Sequence, residues 1–268
     1  MLAKEITIRS KRNTEIPVTV VDCCMNPCGL IIFAHGFKAN RTEDGRFLKV
    51  AEALSQNGFS SIMMGFPGCD VSEEDFFSYT LENCLDDIDS CVEYMKTHFQ
   101  INDRIGMIGY SMGGRLTCLY INEHPEVKCI GIWAGACYEG FNNQERFLGV
   151  PLEDMRKEAE ENGFISFHNI FDDTWVKMNS MLLDNMESMS PTEGLAKYQG
   201  CAVIVHGTND KTVPLDTAFQ IEKLLENAKK KELVLVDDAD HGFGAWDERP
   251  EFSQELTDQT IKFFRENL

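Results

Sequence analysis

The stretch RIGMIGYSMGGRLTCLY, residues 104–120, has three glycines crowded around one serine between two regular elements. Its first part is apolar and predicts a buried strand, and its second part predicts a helix over 112–124. Ser111 lies at the joint between them, and Gly109 and Gly113 stand two positions before and after it. A very tight turn strains the serine backbone and brings the strand close to the helix. Side chains at the two flanking positions are therefore excluded.

This joint has the form of a nucleophile elbow, with the sequence G-x-S-x-G. Such a turn lifts the hydroxyl of Ser111 out of the carboxyl edge of the sheet. It also directs the first N–H groups of the following helix toward whatever is bonded to that oxygen. The alternative is a glycine-rich connection with an incidental serine, but the strand–turn–helix context favours the elbow. We therefore predict that Ser111 is a catalytic nucleophile.

A serine hydroxyl is a weak nucleophile, so it needs a base and an acid that orients the base. In this architecture the chain order is serine, acid, histidine. Asp210, in VIVHGTNDKTVP, follows a predicted strand at 202–206. His241, in VDDADHGF, follows another predicted strand at 232–236. Because an open α/β sheet has its sites at the carboxyl ends of its strands, these two residues and Ser111 are predicted to form a catalytic triad.

Two alternatives remain open for this triad. His168, in the long segment that precedes the last strands, is a rival for the role of base. An aspartate beside His241 can replace Asp210 as the acid, although residues adjacent in sequence rarely have the required geometry. The aspartates in question are Asp237, Asp238 and Asp240.

A developing oxyanion needs two backbone N–H donors. Met112 follows the predicted nucleophile and supplies one donor from the start of the helix. The other donor is expected in the loop after the third strand. There FAHGFKAN offers the N–H of Phe37, next to Gly36, which lets the backbone turn. The alternative is an ordinary strand-exit turn, but the position of the loop before the first helix favours the donor role.

Short apolar runs alternate with helical stretches along the rest of the chain. This alternation predicts an α/β fold whose mostly parallel sheet of about eight strands has helices on both faces. Residues 137–198 break the rhythm, since they are rich in Met and Phe and offer no clear strand. We predict an inserted helical cap there, on a core made of 1–136 and 199–268.

The composition limits the partners of the 268-residue chain. A net charge of -19 argues against nucleic acid and anionic membrane surfaces. The N-terminus carries no secretory signal, and no apolar run is long enough to span a bilayer. The ten cysteines show no metal-ligand spacing and fit a reducing compartment. These features predict a cytoplasmic protein without a metal.

With these residues assembled, the chain resembles the α/β-hydrolases over nearly its whole length. It is more narrowly similar to the small bacterial esterases that include cinnamoyl and feruloyl esterases. The strings that carry this likeness are HGFKANR, GYSMGG, VIVHGTNDKTVP and DADHGF. The resemblance implies an eight-stranded sheet with a cap inserted after the sixth strand. Gly65 and Cys69 depart from the family, which commonly has aspartate and histidine there, in a loop near the acyl pocket.

The leading hypothesis is a serine carboxylesterase that cleaves small-molecule esters through an acyl-enzyme and needs no cofactor. The insertion favours apolar or aromatic acyl groups of the cinnamoyl or feruloyl kind, and Tyr138, Phe171 and Trp175 are predicted to line the pocket. The enzymatic alternatives are a monoacylglycerol lipase, a thioesterase and a prolyl-oligopeptidase-like peptidase. The non-enzymatic alternative is a catalytically silent hydrolase fold used for binding. The oligomeric state is open, and a homodimer is one candidate.

Overall fold

The computed structural model describes residues 3–140, 148–169, 173–246 and 248–268. Within these ranges, eight strands form a central sheet and two more form a separate hairpin. In chain order the strands are β1 Ala3–Arg9, β2 Glu15–Val21, β3 Cys28–Ala34, β4 Phe59–Met64, β5 Ile101–Tyr110, β6 Val127–Trp133, β7 Phe164–Asn169, β8 Thr174–Asn179, β9 Cys201–Gly207 and β10 Lys230–Val236.

The central sheet has the strand order β1-β2-β4-β3-β5-β6-β9-β10. Strand β2 is antiparallel to its neighbours β1 and β4, and all other neighbours pair in parallel. The apolar run of β3 is buried on both faces, because Ile31 and Ile32 belong to separate core clusters on opposite sides of the sheet. The prediction of a mostly parallel eight-stranded sheet is therefore confirmed.

Helices cover both faces of this sheet. In chain order they are α1 Arg46–Ser55, α2 Leu81–His98, α3 Met112–Glu123, α4 Leu152–Asn162, α5 Met181–Ser188, α6 Pro191–Lys197, α7 Asp216–Leu224 and α8 Pro250–Asn267. Helices α1 and α8 pack on one face, and α2, α3 and α7 pack on the other. Among the described residues, no helix combines the length and the apolar character needed to cross a membrane.

The segment between β6 and β9 contains α4, α5 and α6, and it also contains the hairpin of β7 and β8. The expectation that this segment holds no strand is therefore wrong. Each of the two strands has only 6 residues, and its inward side chains alternate with polar ones, which is a weak signal among helix-forming residues. The inward side chains are buried, and they are Ile165, Phe167, Val176 and Met178. The division of the chain into a core and a cap at 137–198 stays a prediction.

The tight joint between β5 and α3 has the geometry that its glycines indicate. Ser111 is the one residue between the two elements, and its φ of 54° and ψ of -114° lie outside the ordinary regions. A Cβ at Gly109 would overlap the backbone of Gly113, and a Cβ at Gly113 would overlap the carbonyl oxygen of Ala34. The glycines therefore allow the strand and the helix to approach closely enough to hold the serine at the edge of the sheet.

A second contact fixes the loops that leave β3 and β4. The Nε2 atom of His35 accepts the N–H of Phe66 at 3.0 Å. The other ring nitrogen, Nδ1, therefore carries the proton and donates to the carbonyl of Gly36 at 2.7 Å. Because the imidazole is fully buried, desolvation lowers the pKa of His35 to about 4. The ring is neutral and holds the two loops together.

Replacing Gly113 with alanine should lower the free energy of unfolding by about 3 kcal/mol or more, because the backbone must move to admit the methyl group. Gly149→Ala is the control. Gly149 has a φ of 67° but no atom within 4 Å of an added Cβ, so this change should cost only the left-handed strain, about 1–2 kcal/mol. Urea unfolding of the two variants measures both losses, and equal losses would contradict the steric account of the joint.

The buried His35 predicts a loss of stability in acid. The unfolded chain binds a proton on this ring below pH about 6.5, whereas the folded chain binds it only near pH 4. Stability from this group is therefore complete above pH 6.5 and falls as the pH drops through this window, by about 3 kcal/mol in total. Glu43 and Asp87, whose pKa values are raised by burial, act in the opposite sense.

A His35→Gln variant isolates the contribution of His35 to the pH dependence of stability, because all other titratable groups are the same in both proteins. The slope of unfolding free energy against pH between 6.5 and 4 should be steeper for the parent than for the variant. Parallel slopes in the two proteins would rule out the neutral buried imidazole.

Candidate active site

Three side chains from the ends of different strands meet at the carboxyl edge of the sheet. The Nε2 atom of His241 lies 3.0 Å from Oγ of Ser111. The Nδ1 atom of the same ring lies 2.7 Å from Oδ2 of Asp210. A carboxylate only accepts, so Nδ1 carries the proton and Nε2 is left to accept the serine hydroxyl. The structure thus brings together the three residues predicted for the triad.

The carboxylate of Asp210 is fixed on both of its oxygens. Its Oδ1 atom accepts the N–H groups of Thr212 and Val213 at 2.8 and 2.9 Å. Its Oδ2 atom faces His241, and Nε2 of His206 lies 3.4 Å from the same oxygen. Burial lowers the pKa of His206, which stays neutral and donates instead to the carbonyl of Val213. The carboxylate is therefore held by three hydrogen-bond donors, which are the two backbone N–H groups and the imidazole of His241.

The rival residues lie in other interactions. His168 is on the hairpin and pairs with Asp173 at 2.8 Å. The three aspartates near His241 bond elsewhere: Asp237 accepts the hydroxyl of Thr208, Asp238 pairs with Arg249, and Asp240 accepts the N–H of Gly244. The structure therefore does not bring any of these four residues to Ser111.

The backbone of His241 is held by the residue that precedes the serine. The hydroxyl of Tyr110 donates to the carbonyl of His241 at 2.8 Å, and the two rings stack with centroids 5.1 Å apart. The guanidinium of Arg46 lies 4.8 Å from the centroid of Tyr110 and donates to the carbonyl of Gly242 at 3.1 Å. Tyr110 is bonded in the chain to Ser111 and contacts both the backbone and the ring of His241, so it fixes the position of the imidazole relative to the serine.

The loop after β3 is fixed by a buried carboxylate. Oε1 of Glu43 accepts the N–H of Gly36 at 2.6 Å, and Oε2 pairs with Arg46 at 3.0 Å. Desolvation raises the pKa of Glu43 to about 7, while the nearby guanidinium acts in the opposite direction. Of the two predicted donors, Phe37 directly follows Gly36 in the chain, and Met112 is the first residue of α3. Their role as donors to an oxyanion stays a prediction.

The residues Glu43 and Arg46 were missed by the sequence reasoning. Glu43 stands in NRTEDGRF, where polar residues crowd around a glycine and read as an exposed loop, and Arg46 is the first residue of α1. Both side chains are in fact buried, with 2% and 8% of their surface exposed. Hydrophobic periodicity does not reveal an ion pair that is buried at the start of a helix. The one sequence feature that could have indicated this pair is the spacing of opposite charges three residues apart.

The predicted pocket residues have different placements. Tyr138 is buried beside Val213, next to the loop of the acid. Trp175 is 73% exposed and lies on the outer face of the hairpin beside His168, so the structure does not bring it to the site. Phe171 lies outside the described residues.

A different residue of the hairpin contacts the side chain of Phe37. The ring centroids of Phe167 and Phe37 lie 5.8 Å apart. Phe76 and Tyr79, from the loop before α2, complete this aromatic cluster at 5.2 and 5.5 Å from Phe37. Cys69, the departure from the family pattern, is buried in the loop after β4, and burial raises its pKa to about 12. Its thiol is therefore a neutral packing group at neutral pH.

The chain is similar to known hydrolases. It is 25% identical to Esterase YjfP of Escherichia coli over 276 residues, which cover 98% of this chain and 100% of that protein. Est1E from Butyrivibrio proteoclasticus with bound ferulic acid has a TM-score of 0.77 at 21% identity, covering 96% of this chain and 98% of that one. The Pyrococcus furiosus esterase Pf2001 has a TM-score of 0.72 at 16% identity, covering 99% and 91%. The two structures support the fold alone.

The family match covers the part of the chain that carries the elbow. Residues 29–183, more than half of the chain, match the family described as the alpha/beta hydrolase fold. This range includes the loop of Phe37 and the joint at Ser111. The likeness inferred from the motifs is therefore confirmed, and the chain belongs to the α/β-hydrolase family.

Proposed function

We propose that this protein is a serine hydrolase that cleaves carboxylic esters through an acyl-enzyme. The observation that carries the proposal is the continuous contact from Asp210 through His241 to Ser111, with heavy-atom distances of 2.7 and 3.0 Å. The 3.0 Å contact is within reach for proton transfer from the serine, and the 2.7 Å contact is a hydrogen bond that fixes the tautomer of the imidazole. The strained backbone of the serine gives independent support, since strain of this kind concentrates at functional sites.

The reaction follows from the roles of these groups. Oγ of Ser111 attacks the ester carbonyl carbon while its proton passes to Nε2 of His241. The tetrahedral intermediate collapses, the bond to the alcohol oxygen breaks, and the imidazolium returns the proton to that oxygen. Water then attacks the acyl-enzyme, again losing a proton to the imidazole, and the acid leaves as Oγ regains the proton. Asp210 holds the tautomer and stabilises the imidazolium, and the N–H groups of Phe37 and Met112 stabilise the oxyanion.

The ester bond is favoured over the alternatives by the similarity to a named esterase across nearly the full length of the chain. A thioesterase, a monoacylglycerol lipase and a prolyl-oligopeptidase-like peptidase use the same three groups. They are therefore outcomes that a substrate panel distinguishes. A catalytically silent binding protein is disfavoured, because such proteins usually lose a member of the triad.

The acyl group that we propose is small and apolar or aromatic. The ring of Phe37 belongs to the residue whose N–H is the predicted oxyanion donor, and the hairpin contributes Phe167 beside it. We expect the acyl group of an acyl-enzyme at Ser111 to contact these two aromatic side chains. Aromatic rings recognise a cinnamoyl-like group by edge and face contacts.

Replacing Ser111 with alanine should abolish ester hydrolysis, with kcat reduced at least about 10⁴-fold. Asp210→Asn should reduce kcat about 10³- to 10⁴-fold, because the amide no longer fixes the tautomer of His241. Asp237→Asn is the matched control. Asp237 lies in the loop before His241, but its carboxylate accepts the hydroxyl of Thr208 and does not bond to the imidazole. Initial rates on p-nitrophenyl butyrate measure all three variants. Parent-like rates in the Ser111 variant would remove the basis of the proposed function.

The acyl preference is tested with methyl cinnamate and methyl acetate. Phe167→Leu should reduce kcat/KM for the cinnamate about tenfold more than for the acetate, because it removes an aromatic contact. Trp175→Ala, on the outer face of the same hairpin, should leave the ratio of the two values unchanged.

If the ratio of kcat/KM for the cinnamate to that for the acetate changed only in Trp175→Ala, Trp175 and not Phe167 would line the acyl pocket. A monoacylglycerol, an acyl-CoA and a prolyl peptide amide complete the panel. A clear preference for the amide would contradict the esterase assignment.

A further inference from the structure

A carboxylate is buried directly behind the predicted oxyanion loop. Glu43 is only 2% exposed, although it belongs to a polar loop that could have left it in water. Burying a carboxylate is costly, and only hydrogen bonds and an opposite charge offset that cost. Its two oxygens have such partners in the N–H of Gly36 and the guanidinium of Arg46.

The backbone around Glu43 is strained in order to hold this position. Glu43 and Asp44 have φ values of 49° and 53°, and Gly45 follows with a φ of 86°. Left-handed backbone costs about 1–2 kcal/mol for a residue with a side chain. Two such residues in succession persist only where their surroundings enforce the conformation, and here the carboxylate contacts supply that constraint.

The contacts of Gly36 fix the peptide group that carries the predicted donor. The carbonyl of Gly36 and the N–H of Phe37 belong to one planar trans peptide, so they point in opposite directions. His35 holds that carbonyl at 2.7 Å from Nδ1. The N–H of Gly36 donates to Oε1 of Glu43 at 2.6 Å, so the N-terminal side of the same glycine is also held. With both sides tethered, the direction of the Phe37 N–H is determined.

The same cluster reaches the loop of the catalytic base. Arg46 pairs with Glu43 through one amino group and donates from the other to the carbonyl of Gly242 at 3.1 Å. Its guanidinium also covers the ring of Tyr110, whose hydroxyl holds the backbone of His241. One buried cation therefore contacts both the oxyanion loop and the support of the imidazole.

We propose that Glu43 is a positioning residue that holds the Gly36–Phe37 peptide so that the Phe37 N–H points at the developing oxyanion. The inference rests on the proposed hydrolase function and deepens it. Because the oxyanion exists only in the transition state and the intermediates, loss of this positioning should lower kcat and leave KM nearly unchanged.

The test compares Glu43→Gln and Glu43→Asp with the parent. Glutamine keeps the shape but replaces one acceptor oxygen with an N–H₂ group, and aspartate keeps the charge but is too short to reach both partners. Asp44→Asn is the control, because Asp44 shares the strained segment but is exposed, and its carboxylate accepts from the side chain of Asn40 instead of from the Gly36–Phe37 loop. Active sites are counted by titration with a fluorophosphonate, so that kcat refers to folded, reactive protein.

With p-nitrophenyl butyrate, each Glu43 variant should lose about 10- to 100-fold in kcat per active site, with KM within about threefold of the parent. The inhibition constant of a trifluoromethyl ketone, whose adduct carries the oxyanion, should rise by a similar factor. Asp44→Asn should match the parent in both quantities.

Three results would overturn the inference, and they are distinguishable. Ser111-dependent hydrolysis with parent-like kcat and inhibitor affinity in both Glu43 variants would overturn it alone. Hydrolysis by the parent that persists in Ser111→Ala would overturn the proposed function and the inference together. A loss that disappears when rates are normalised to titrated sites would show that Glu43 only supports folding.

Discussion

The contact between Nε2 of His241 and Oγ of Ser111, at 3.0 Å, joins two residues 130 positions apart in the chain. It exists only because both ends are held in place independently. The serine is held by the joint of β5 and α3, where two glycines allow the backbone to turn. The histidine is held by Asp210 on its ring and by Tyr110 on its backbone. Any shift of either end by about 1 Å would take the pair out of range for proton transfer.

The buried charges around this contact are arranged so that each has a partner. Asp210 accepts two backbone N–H groups besides the imidazole, and Glu43 accepts Gly36 and faces Arg46. Either carboxylate would be costly to bury without these partners. Since each is satisfied by groups from neighbouring loops, the same interactions that offset burial also fix the loop positions. Stability and the geometry of the candidate site therefore depend on the same few hydrogen bonds.

The sheet and the meeting of Ser111, Asp210 and His241 could be predicted from the sequence, because each of these residues follows a recognisable strand. The elbow needs glycines at fixed spacing, a doubly buried strand needs a continuous apolar run, and the triad order follows the strand order. The hairpin of β7 and β8 was missed because its six-residue strands alternate weakly. The side of the hairpin that faces inward was also misjudged, since Trp175 and Phe167 stand on opposite faces of the same pleat. Glu43 was missed because no local pattern distinguishes a buried carboxylate in a polar loop from a solvated one.

The whole arrangement requires that the imidazole of His241 bridges Asp210 and Ser111 with its proton on Nδ1. Nitrogen-15 NMR of histidine-labelled protein tests this most directly. The account predicts that His241 is an Nδ1–H tautomer whose proton resonance is strongly deshielded at neutral pH. That resonance should be lost in Asp210→Asn and retained in Ser111→Ala. An Nε2–H tautomer in the parent, or a resonance unaffected by the aspartate substitution, would contradict the account.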